Sequence, residues 1–167
     1  MIKKLILAAC SFLLLFFISS SHKAEALTFD KLPIKQTSKQ WAVQIGEAGQ
    51  GKELVKPEKG KFKTYSLEVK NIGRDVFFVE INLFRNEPKS KTKYSLFSCP
   101  HGEDCNKDNY ERAISLARVL NTNGNFYRHE NFLLAEKATE LEVEIVWTQG
   151  PDGRQLKETF TFIAEQQ

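Results

Sequence analysis

The first 26 residues constrain this chain more than any other stretch. Lys3 and Lys4 make a positive start, and Leu5 to Ile18 is almost unbroken apolar sequence. Ala24-Glu25-Ala26 then supplies the small-x-small ending after which a signal peptidase cuts. The pattern predicts an export signal over residues 1–26, a mature chain beginning at Leu27, and a secreted or extracytoplasmic protein. Two rival fates for the leader keep the protein at the membrane. An uncleaved leader is one, but its apolar run is about 14 residues, or about 21 Å of helix, against the roughly 20 residues a bilayer core requires. Lipidation is the other, because Leu7-Ala8-Ala9-Cys10 has the look of a lipoprotein box. Most of the apolar span lies beyond Cys10, however, whereas the peptidase needs it ahead of the cut. Cleavage near Ala26 is the reading we adopt, with no stable membrane span after it.

Removing 26 of 167 residues leaves 141, a length suited to a single domain over 27–167 with its own core. Charge is divided along the mature chain. Residues 31–93 hold fourteen Lys/Arg against seven Asp/Glu, and residues 94–167 hold seven against twelve. Such a split reads either as an ordinary solvated surface or as a basic face suited to anionic wall polymer or lipid headgroups. Most of the basic residues are lysines, which suit loose electrostatic contact better than bidentate recognition. Export and a near-neutral total argue against nucleic acid.

After residue 40 the hydrophobic pattern has mostly period two, the spacing of strands with one buried face. Trp41, Val43 and Ile45 alternate, as do Tyr65, Leu67 and Val69, then Phe77, Val79, Ile81 and Leu83. The second and third of these runs, parted by Asn71-Ile72-Gly73-Arg74-Asp75, form a hairpin or a crossing between sheets. Tyr94 to Ser98 and Phe132 to Ala135 are shorter candidates. Leu141, Val143, Ile145 and Trp147 alternate again. Gln149-Gly150-Pro151-Asp152-Gly153 then turns the chain into Leu156–Ile163, predicting a hairpin. Glu111–Leu120 fits helix and strand equally. The strand rhythm predicts an all-β, two-sheet antiparallel sandwich, immunoglobulin-like, with an irregular or partly helical insertion around residues 85–125. A lipocalin-like barrel is the alternative.

One stretch concentrates chemistry. Cys99-Pro100-His101-Gly102-Glu103-Asp104-Cys105 holds both cysteines of the mature chain, and export to an oxidising compartment favours a disulfide between them. The small ring would stiffen a loop by about 2 kcal/mol. The alternative is a zinc or copper site through Cys99, His101 and Cys105, with Glu103 or Asp104 completing a tetrahedron. His129 is the other mature histidine, and we read it as a surface residue in a polar connection.

Catalytic signatures are thin. There is no Gly-x-Ser-x-Gly and no His-Glu-x-x-His. Glu142 and Glu144 alternate with a buried face, so they read as solvated strand residues rather than a glycosidase pair. Trp41 and Trp147 read as core. Tyr94, Phe97, His101, Tyr110, Phe126 and Tyr127 cluster around the irregular middle and are the candidate binding surface.

The expectation is therefore an exported, non-enzymatic binding module with no cofactor, its partner an unknown protein or a cell-surface polymer. An extracytoplasmic metal-binding protein is the alternative, and a small secreted hydrolase ranks last. Intact mass of the exported protein, before any reductant, is expected to start at Leu27 and to be two hydrogens light. A full hydrogen count with a metal increment lost on denaturation would make Cys99, His101 and Cys105 ligands instead.

Overall fold

A computed structural model describes residues 26–29, 31–87, 90–97 and 109–163. Residues 1–25 of the leader, and the Cys99–Cys105 loop with His101, lie outside the described residues. In chain order the elements are β1 (Ile34–Thr37), β2 (Trp41–Glu47), β3 (Phe62–Asn71), β4 (Phe78–Asn86), β5 (Lys93–Ser95), α1 (Asn109–Asn121), β6 (Tyr127–Ala135), β7 (Glu140–Thr148) and β8 (Leu156–Ile163).

The strands form two four-stranded antiparallel sheets, ordered β1-β2-β3-β6 and β5-β4-β7-β8. The inner faces pack together as a sandwich, as the period-two rhythm predicts. Val43, Ile45, Leu67 and Val69 from the first sheet and Leu83, Leu141, Val143 and Ile145 from the second have no solvent exposure. Trp41 and Trp147 meet edge to face across the core, with centroids 5.6 Å apart. Both tryptophans are core residues, as expected. β7 and β8 form the expected hairpin, with Trp147 opposite Leu156 and Leu141 opposite Phe162.

Three elements needed the tertiary structure. Asn71–Asp75 is a crossing between sheets, because β3 pairs with β2 and β6 while β4 pairs with β5 and β7. Glu111–Leu120 is helical: α1 buries Ala113, Ala117 and Leu120 at the i, i+4, i+7 spacing of one helix face. Its two alanines let the helix approach β4 closely. β1 was not expected, since Ile34-Lys35-Gln36-Thr37 carries one apolar residue. It exists through its pairing with β2, and Gln36 donates from Nε2 to the Thr161 carbonyl at 2.9 Å, tying β1 to β8 in the other sheet.

Leu27, the expected first mature residue, is buried at 1% exposure. Its nitrogen donates to the Ala138 carbonyl at 2.7 Å, and Phe29 follows it into the core with its ring edge on Tyr65 at 4.9 Å. A cut after Ala26 therefore creates the amino group whose nitrogen holds this hydrogen bond.

The crossing is held by three side-chain amides. Gln40 donates from Nε2 to Asn71 Oδ1 at 2.6 Å and to the Arg74 carbonyl at 2.7 Å. Asn121, closing α1, imitates a strand neighbour for Val76: its Oδ1 accepts from the Val76 N–H at 3.0 Å and its Nδ2 donates to the Val76 carbonyl at 2.8 Å. Gly73 is required by close approach, since a Cβ there would lie 2.9 Å from the Gln40 Cα. Asn121→Ala strips both partners from a buried residue and is expected to cost about 2–4 kcal/mol, counting each orphaned group at roughly 1–2. Gly73→Ala should destabilise as well, and Asn123→Ala, on the exposed turn, should not. Urea denaturation of the three variants checks this.

Candidate functional site

The sheet order leaves one side of the sandwich open. β6 is an edge strand, and β5 covers β4 only along Phe84–Asn86, so the earlier part of β4 has no strand neighbour on that side among the described residues. α1 packs across this side, chiefly on β4 with lesser contact to β3 and β6. Between α1, β4, β6 and the segment after β5 lies a cleft of about 550 Å³. Ile81, Leu96 and Leu116 give it apolar wall. Glu80, Asn82, Asn109 and Arg112 give it polar wall, and Phe97, Tyr127 and His129 line the rest.

A bulge in β6 aims two of these residues. Phe132 lies opposite Tyr65 while His129 lies opposite Leu67, so three steps along β6 match two along β3. The extra residue reverses the inside–outside alternation. Phe132 and Leu134 thereby face the core, and His129 and Tyr127 also turn inward. His129 is thus a half-buried strand residue, not the surface residue in a polar connection that its charged neighbours suggest. Strict period-two reading hides it, because the histidine and Phe132 have opposite parity.

The imidazole of His129 packs on the Phe97 ring, with centroids 4.8 Å apart. Burial holds the His129 pKa below its ordinary value; a backbone hydrogen bond at Asn131 and the charge of Glu130 oppose this in part. The imidazole is therefore neutral at neutral pH. Burial also pushes the Tyr127 hydroxyl up, so it stays protonated. The cleft combines flat apolar surface with neutral hydrogen-bonding groups, flanked by one guanidinium and one carboxylate. Such a lining suits an amphipathic ligand or an extended peptide segment.

Of the sequence-predicted surface residues, the fold brings Phe97 and Tyr127 together here. Tyr94 lies elsewhere, with the Arg85 guanidinium 4.8 Å from its ring centroid. Tyr110 projects from the start of α1 and meets Phe78 at 5.7 Å. Phe126 turns to the outer face of the first sheet beside Lys70 and Gln44. His101 lies outside the described residues. Sequence reasoning missed His129, and also Arg112 and Leu116, which a helical reading of Glu111–Leu120 would have placed one turn apart on a single face.

Glu142 and Glu144 stand on the outer face of β7 and do not line the cleft, although Glu144 lies opposite its wall residue Asn82. Lys93 pairs with Glu142, and Lys157 with Glu144 at 3.0 Å. A hydrogen bond between Glu140 and Glu142 raises the pKa of the first and lowers that of the second. Among the described residues no group of three His, Cys, Asp or Glu is placed to hold a metal ion.

An exported β-sandwich with an aromatic side cleft is the class of molecule this architecture defines. The model of the YozF-like secreted protein family matches residues 25–167, and the chain belongs to that family. The uncharacterized protein YozF of Bacillus subtilis (strain 168) is 46% identical over 161 residues, covering 96% of this chain and 96% of the relative. No solved structure matches the chain. The protein is secreted, in agreement with its leader.

The half-buried His129 makes stability depend on pH. Its folded-state pKa lies below the unfolded value, so the unfolded chain binds the proton more readily and stability rises with pH through that window. The contribution is complete above the unfolded pKa and is lost as pH falls. Thermal midpoints should therefore drop between about pH 7 and about pH 5, and His129→Gln should flatten that drop. An NMR titration of His129 giving an ordinary or raised pKa would contradict the assignment.

Proposed function

We propose that this protein is a non-enzymatic binding module on an immunoglobulin-like scaffold, and that its contact surface is the side cleft. The strand order supports the scaffold assignment. Three crossings, β3 to β4, β5 through α1 to β6, and β6 to β7, place a four-strand sheet ending in the β7–β8 hairpin against a sheet in which β6 returns to pair with β3. One observation carries the functional reading: Phe97, Tyr127 and His129, from two separated segments, converge on one concave surface with Arg112 on its rim. The lining offers one imidazole, one guanidinium and one carboxylate, with no serine or threonine among the described residues. That set supports recognition better than nucleophilic catalysis. A disulfide between Cys99 and Cys105 would stiffen the segment joining Phe97 to Asn109, both of which line the cleft.

A photo-crosslinking amino acid at exposed Arg112, introduced in the producing cell, is expected to give discrete adducts. Phe97→Ala should abolish them, and the same probe at Lys157 on the other sheet should give none. Equal labelling at both positions, or none at Arg112, would remove the cleft as the contact surface.

The second reading is an extracytoplasmic metal-binding protein through Cys99, His101 and Cys105. The packing of His129 on Phe97, two residues before Cys99, favours it, since about 3.5 Å of chain per residue brings a second neutral imidazole within range of the cysteine loop. Zinc titration of reduced protein distinguishes the readings. Stoichiometric binding lost in the Cys99→Ser/Cys105→Ser double variant supports metal, and no binding supports the module.

A further inference from the structure

The two halves of the sandwich differ in charge, and the difference is not neutralised locally. The first sheet with its early connections, residues 31–71 and 127–135, holds ten Lys/Arg against five Asp/Glu. The second sheet with its described connections, residues 78–87, 90–95 and 140–163, holds five against seven. On the second sheet Arg85, Lys93 and Lys157 are engaged by carboxylates, while Lys91 and Arg154 in its connections have none within ion-pair distance among the described residues. On the first, Lys31, Lys35, Lys39, Lys52, Lys56, Lys59 and Lys70 have no carboxylate within ion-pair distance among the described residues. The lysine-rich β2–β3 connection reaches β6, with Gly49 N–H on the Glu130 carbonyl at 2.8 Å and Asn131 Nδ2 on the Val55 carbonyl at 2.7 Å.

The strand register shows how the outer face is built. Lys35 stands opposite Gln44 on β2, Ala42 opposite Lys70 on β3, and Glu68 opposite Arg128 on β6. Ala42 is 6% exposed and forms the floor of a shallow trough of about 90 Å³. Lys35, Lys70 and Phe126 wall it, and Phe126 is 45% exposed. Glu68 also lines the trough, but its oxygens are engaged by Arg128 and by Gln44 Nε2. Lys35 and Lys70 sit on the strands flanking β2, about 10 Å apart across the sheet and offset along it by two residues, since Lys35 faces Gln44 and Lys70 faces Ala42.

We propose that this face is a second binding surface, distinct from the cleft, for an anionic phosphodiester polymer with a polyol or sugar backbone. The two lysines would take phosphates on either side of the trough, and Phe126 would cover backbone carbons between them. Lysines without arginine forks suit a repeating polyanion that needs no fixed register. A concave trough admits a narrow chain, whereas a bilayer presents a plane of headgroups, and this favours the polymer over lipid.

The test uses the mature protein and purified poly(glycerol phosphate), with phosphatidylglycerol-containing vesicles as the competing source of phosphate. Sedimentation with polymer is expected, weakening at least tenfold when NaCl rises from about 0.05 to about 0.5 M, as the screening length shrinks severalfold. The Lys35→Gln/Lys70→Gln variant should lose about tenfold or more in affinity at low salt, with an unchanged circular dichroism spectrum. Phe126→Ala should lose affinity while keeping the salt dependence of the native protein, and Lys91→Gln on the other sheet should behave as native. Unchanged affinity in the double lysine variant would overturn the proposal. So would binding to vesicles but not to polymer, or concentration-dependent self-association abolished by the same variant, which would make a second copy the occupant. Loss of adducts at Arg112 would leave this result unaffected, so the two surfaces fail separately.

Discussion

The polar knot at the crossing between β3 and β4 is the constraint on which the open side of this sandwich depends. At that point the chain leaves one sheet for the other, and both the crossing and the end of the helix must be held near the core. Gln40, Asn71 and Asn121 do this with amide side chains, which alone among neutral side chains carry donor and acceptor in the geometry of a peptide group. Asn121 supplies Val76 with the two hydrogen bonds a neighbouring strand would have made. The helix is thus spliced onto the sheet by one residue. Because the network is partly shielded from water, with Gln40 and Val76 buried, its bonds to them matter more through the cost of leaving them unmade than through their intrinsic strength.

From that splice the cleft follows. α1 covers the open side without sealing it, because its packing face carries two alanines and its larger side chain Leu116 stands at the margin. The bulge in β6 then rotates His129 and Tyr127 inward without expelling Phe132 from the core. A bulge costs a ladder position and repays it by changing which face a side chain serves. Here the change converts a polar strand end into part of the cleft wall. β4 shares in the cleft, whereas the outer face of β7 carries carboxylates closed by Lys93 and Lys157.

Much of the sandwich was legible in the sequence. The runs at Trp41–Ile45, Tyr65–Val69, Val79–Leu83 and Leu141–Trp147 sit in strands because alternation with large apolar residues has one low-energy use in water, a half-buried sheet. The Gly-Pro-Asp-Gly turn gave away the last hairpin. β1 was illegible because a short edge strand draws its stability from its neighbour rather than from its own pattern. Glu111–Leu120 was ambiguous because Ala, Leu and Ile at those spacings satisfy either period, and only the presence of β4 beneath Ala113 and Ala117 decides. Phe97 and Tyr127 were picked out as aromatics near irregular sequence. His129 was missed because a one-residue bulge leaves no compositional mark.

The sequence by itself determined that the chain is exported, that it forms β-sheets, and which strand residues make most of the core. Each of these depends on local pattern: a charged start with an apolar run, alternation of period two, turn residues at fixed places. The tertiary structure decided which strands share a sheet, where the helix docks, which aromatics meet, and that unpaired lysines distant in sequence lie on one half of the molecule. Those outcomes depend on contacts between segments far apart in the chain, whose free energy is paid only when the sheets close on each other. Local pattern carries no record of them.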